Sequence, residues 1–147
     1  MRITHRIYNK IMNVKEFIIK NAYIITPLVI LIVYVLLKNK GLQINDEFDP
    51  NVINVSGVLA GFLFSSLGIM MSLPDNKFTE LLRNYGYMNI IYKAMFIGII
   101  TLILTLVLGI FKICNKLKEI LFIIGLTETV LSAYYVYKIT SLASKSR

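Results

Sequence analysis

Four apolar stretches crowd into 147 residues, and the last of them carries a carboxylate near its middle. Charge-free runs cover 21–37, 51–74 and 94–111, and a fourth, 120–137, is interrupted only by Glu128. Roughly 20 apolar residues in a helix cross the hydrocarbon core of a bilayer. Each run is long enough, the first by extending back through Phe17 with Lys20 snorkelling toward the headgroups. The chain therefore reads as an all-α membrane protein, one domain of four transmembrane helices at 17–37, 52–73, 94–111 and 120–137. A soluble bundle is disfavoured: with 56% hydrophobic residues and a mean hydropathy of +0.69, too little polar surface remains to wet four long helices.

The first run is expected to stay as a span rather than be cleaved as a signal peptide. The basic region before it is long, and Thr26-Pro27 lies inside the run instead of at a small-residue cleavage site. Lysine and arginine then set the orientation. With both termini cytoplasmic, that side receives Arg2, Arg6, Lys10, Lys15, Lys20, Lys77, Arg83, Lys93, Lys138, Lys145 and Arg147, against Lys38, Lys40, Lys112, Lys116 and Lys118 outside. That bias favours both ends inside. The short loop 112–119 runs against it with three lysines, whereas the first outer loop offsets its lysines with Asp46, Glu47 and Asp49.

Ahead of span one, Ile7, Ile11, Val14 and Ile18 recur at helical spacing among several cations. This pattern predicts a basic N-terminal arm lying on anionic membrane lipids, with nucleic acid not expected as a partner. Between spans two and three, Pro74 ends a helix and Asp75 can cap a new one. On that new helix Phe78, Leu81, Leu82 and Tyr85 form an i, i+3, i+4, i+7 stripe. The reading is a cytosolic amphipathic elbow helix, serving as a structural elbow, or as a gate or partner-docking surface. Gly86 allows a bend before Tyr87 and Tyr92, which suit the headgroup layer, and Lys93 opens span three.

Span two carries Gly57, Gly61, Ser65, Gly68 and Ser72 on one helical face. Lipid gives apolar helices little reason to associate, so small residues that permit close approach mark a contact within the subunit, an oligomer interface or a pore lining. Span three repeats a weaker version with Gly98, Thr101, Thr105 and Gly109, whose hydroxyls can bond back to their own helix. On span four, Gly125, Glu128, Ser132 and Tyr135 share a face that Thr129 broadens. An acid at this depth closes a hydrogen-bond network, attracts a permeating cation or carries a proton. Asn54 is a polar companion at a different depth.

Enzyme chemistry finds no support: there is no phosphate-cradling glycine motif, Cys114 is the one cysteine, and His5 is the one histidine. No metal or cofactor is expected. The segment GFLFSSLGIMMSLPDNKFTELLRNYGY, residues 61–87, joins a small-residue span to an amphipathic helix. It resembles small multi-span bacterial membrane effectors of phage defence. That resemblance implies a place in the bacterial inner membrane, which such effectors permeabilise when a cytosolic activating protein or nucleotide signal switches them on. One small chain encloses a wide pore only by assembling with copies of itself. The expected function is thus a homo-oligomeric pore or channel-like effector. Its rivals are a small proton-coupled exporter working through Glu128 and an accessory subunit of a larger membrane complex.

Overall fold

The computed structural model describes residues 17–18, 20–41, 48–73 and 77–145, and the basic arm before them lies outside the described residues. The described elements are helices α1 (Ala22–Asn39), α2 (Phe48–Met71), α3 (Lys77–Asn84), α4 (Tyr87–Ile110) and α5 (Asn115–Lys145). Four of them carry segments long and apolar enough to cross a membrane: Ala22–Asn39, Pro50–Met71, Tyr87–Ile110 and Asn115–Ser141. The chain is a multi-span, all-α membrane protein.

Two helices run well past the charge-free runs. α4 starts at Tyr87 and α5 extends from Asn115 to Lys145. The extra residues are polar at the ends but contain no Gly or Pro, so nothing in the backbone stops the helix where the apolar run stops. The turns sit where the backbone permits them. Gly86, at φ 74°, takes the left-handed conformation that separates α3 from α4. Between α4 and α5, Lys112 and Cys114 both sit at φ 53°, a conformation that carries strain in residues other than glycine.

α4 is the central helix. Its Met88, Ile91, Met95, Ile99 and Leu102 meet Ala60, Leu63 and Met70 of α2, and Phe122, Tyr135, Val136 and Ile139 of α5 pack against the same cluster. The buried ridge of α2 is Val52, Ser56, Ala60, Leu63 and Met70. At 3.6 residues per turn these fall on one side, and Gly61, Ser65, Gly68 and Ser72 fall about half a turn away.

α1 lies on the outside of the bundle, with only 6% of its residues buried. Nine of its large apolar side chains between Ile24 and Leu37 are exposed. Fully burying such a side chain stabilises by about 1.5–3 kcal/mol. In water, leaving nine half-exposed would cost a sum comparable to the whole stability of a domain, about 5–15 kcal/mol. Hydrocarbon removes that cost, so the exposed surface belongs to lipid.

Among the described residues, polar side chains fasten α1 to the bundle near both of its ends, each joining helix ends of one side. At one end, Tyr34 Oη and Lys38 Nζ both donate to Glu119 Oε2, at 2.6 and 2.5 Å, tying the end of α1 to the start of α5. At the other, Lys93 Nζ stands 5.6 Å from the Tyr23 ring centre, joining the start of α1 to the first turns of α4. Successive spans thus run in alternating directions.

Candidate membrane-embedded polar site

Small residues build the centre of the bundle. A Cβ added to Gly98 of α4 would stand 2.8 Å from Leu63 Cδ1 and 3.1 Å from Glu128 Cβ, so three helices converge there. One turn earlier on α5, a Cβ at Gly125 would fall 2.6 Å from Leu102 Cγ and 3.0 Å from Thr101 Oγ1. Contacts this close leave no room for a side chain. The glycines let α4 and α5 approach until Glu128 is sealed between them.

Glu128 is 0% exposed, and neither carboxylate oxygen has a hydrogen-bond partner among the described residues. Ser132, one turn on, is buried with its hydroxyl equally unpartnered. The threonines around them are satisfied locally: Thr129 donates to the Gly125 carbonyl at 2.8 Å and Thr127 to that of Ile123 at 2.7 Å. On α4, Thr101 donates to Ile97 and Thr105 to Thr101, at 2.8 and 2.7 Å, the back-bonding expected from the sequence. Glu128 and Ser132 are therefore a distinct pair. A buried polar atom without a partner costs about 1–3 kcal/mol, more for an acid, and its persistence calls for a reason.

Asn54 is not part of this site. It is exposed on α2, next to Ile53, whose side chain meets Gly109 near Lys118 Cδ, about three turns along α5 from Glu128. Ser56 is buried with an unpartnered hydroxyl two turns before Leu63, and so sits outside the Glu128 layer.

The small-residue face of α2 divides. Gly57 sits at its margin, where an added Cβ would be 3.5 Å from Leu106 Cδ1 of α4. Gly61 and Gly68 are exposed and an added Cβ would meet nothing within 4 Å. Ser65 and Ser72 are exposed as well, each hydroxyl bonded back to its own helix, to Gly61 O at 3.0 Å and Ile69 O at 2.9 Å. No described helix covers this stretch, so among the described residues the contact within the subunit is confined to Gly57.

Sequence reasoning missed two polar features. Lys118 is 0% exposed and donates to Asn115 Oδ1 at 3.2 Å, although it was assigned to an outer loop. The Tyr34–Lys38–Glu119 cluster joins residues more than 80 positions apart, and the one available signal was a Lys and a Glu at the ends of apolar runs on the same side. Of the predicted elbow stripe, Leu82 packs against the core cluster and Tyr85 is exposed, while Asp75 and the side chains of Phe78 and Leu81 lie outside the described residues.

The described residues contain no group of three or more His, Cys, Asp or Glu side chains that could hold a metal ion. Compared with known proteins, the chain matches no family model, no curated protein and no solved structure.

Proposed function

We propose that this chain is a homo-oligomeric, channel-like protein that permeabilises the bacterial inner membrane under cytosolic control. The observation that carries the reading is the bare face of α2: Gly61 and Gly68 are open to the surroundings, on the side of the helix opposite its buried ridge. Glycine offers lipid chains little to pack against and offers another helix a flat surface for backbone approach. The two serines of this face are already bonded to their own carbonyls and need no water, which suits a dry helix contact better than a wet lumen. Asn54, exposed at one end of the same face, adds an amide that can bond across two copies. α3, joined directly to the gated spans α2 and α4, is the element on which a cytosolic activator would act.

Cysteine crosslinking in native membranes tests the assembly. In a Cys114→Ser background, Ser65→Cys should form disulfide-linked dimers and Phe62→Cys, on another side of α2, should not. Expression in whole cells carrying a membrane-potential dye, where the cytosol supplies the activator, should then give depolarisation that Gly61→Leu abolishes. Equal crosslinking at both positions would remove the basis of the reading.

A second reading, a proton-coupled exporter, is favoured by the sealed Glu128–Ser132 pair. A carboxyl that exchanges a proton must spend part of its cycle enclosed by the protein, as Glu128 is here. Substrate efflux that dissipates with the proton gradient and fails in Glu128→Gln, without depolarisation of the cells, would select the exporter over the pore.

A further inference from the structure

An open groove of about 470 Å³ runs between the end of α2 and the first turns of α4, lined by Leu67, Met71, Tyr92, Lys93 and Phe96. Met71 and Phe96 are among the most exposed apolar residues of these helices, so the groove opens sideways into lipid. Tyr92 forms part of its wall and is held there by a hydrogen bond from its hydroxyl to the Met70 carbonyl, 3.3 Å. The wall is therefore preformed. The polar end is Lys93, an exposed ammonium lodged over the Tyr23 ring of α1.

We infer that this groove is a binding site for an anionic phospholipid, one acyl chain lying along Leu67, Met71 and Phe96 with its phosphate against Lys93. An acyl chain gains little by leaving other acyl chains for an apolar wall, since lipid tails are as apolar as leucine. The groove therefore seats the lipid and the cation selects it. A zwitterionic headgroup would bring its own cation to the Lys93 ammonium, whereas phosphatidylglycerol brings only the phosphate. The groove lies to the side of the bare glycine face, so occupancy neither requires nor prevents assembly through α2.

The test uses the full chain, reconstituted in bilayers of equimolar phosphatidylglycerol and phosphatidylcholine, extracted gently, and analysed for retained lipid by native mass spectrometry. Phosphatidylglycerol should be retained over phosphatidylcholine by about fivefold for the one cation in the groove, and Lys93→Gln should bring the ratio close to one. Met71→Trp, which fills the groove mouth at an exposed position, should lower retention of both lipids. Neutralising Arg2, Arg6, Lys10 and Lys15 together should leave the ratio unchanged. Equal retention by the native protein overturns the inference, as does a preference that survives Lys93→Gln and disappears with the arm substitutions.

Discussion

Glu128 and Gly98 meet at the most constrained point of the bundle, yet the two residues answer different questions. Gly98→Leu forces a side chain into Leu63 and the Glu128 Cβ, and overpacking of this kind costs about 1–3 kcal/mol. A Cβ added at Gly61 meets none of the described residues within 4 Å, so Gly61→Leu should leave monomer stability within about 0.5 kcal/mol and act on assembly. Unfolding in a graded detergent mixture, read beside crosslinking, separates the two. Leu63 is fully buried, so enlargement there would disturb the fold, and an exposed residue such as Phe62 is the proper comparison for Gly61. For Glu128, replacement by Leu removes an unpartnered polar group at similar volume. It should therefore maintain or raise stability, by up to about 2 kcal/mol, while transport or conductance is lost. A destabilised Glu128→Leu would mean that the carboxyl has a structural partner, and the functional assignment of this residue would fall.

At the scale of the helices, composition revealed the spans and concealed their facing. In a soluble bundle the polar side of each helix marks the outside. In lipid the outward side chains are as apolar as the inward ones, so span one, with Ile and Val all round, gives no periodic sign of where it docks. Polar and small residues were the readable exceptions: Glu128 and Ser132 did fall on an inward face, and the α4 threonines did bond back to their own helix. The small-residue face of α2 was legible as a pattern, but its facing was not: apart from Gly57 it points away from the described helices. Lys38 and Glu119 looked like span-flanking charges, since only the tertiary arrangement brings them together. That arrangement predicts a weak fastening of α1, whose other attachments are few. Glu119→Gln keeps one acceptor for Tyr34 and deletes the charge facing Lys38. Disulfide trapping between cysteines placed at the ends of α1 and α5 should slow several-fold in Glu119→Gln, whereas the α4–α5 contact around Gly125 should trap at the native rate. Unaltered α1 trapping would show that Pro27 and neighbouring apolar contacts suffice to hold the helix.

For the whole molecule, alternating spans put the start of α1 and the end of α5 on one side of the bundle, and the two fastenings of α1 agree with that arrangement. The lysines of loop 112–119, which weigh against an outer location when counted from sequence, weigh less in the folded chain. Lys118 is buried within the bundle, and Glu119 of the same segment neutralises Lys38 from the neighbouring helix end. What remains exposed at that end is a smaller cationic load than the residue count gives, while the opposite end holds Lys20, Arg83, Lys93 and Lys138. The positive-inside bias therefore predicts a cytoplasmic location for the Tyr23–Lys93 end. An alkaline phosphatase fusion within 43–48 should be active and one after Arg147 inactive, with a cytoplasmic fluorescent reporter giving the reverse pattern. Glu119→Lys sharpens the test, because it adds a cation at the outer end and breaks the pair with Lys38 at once. Expression of correctly oriented protein should fall, and addition of cations at the Arg147 end should restore it. Activity of the periplasmic reporter at Arg147 in the native chain would reverse the orientation and move the elbow helix, the Lys93 groove and any activating partner to the outer face.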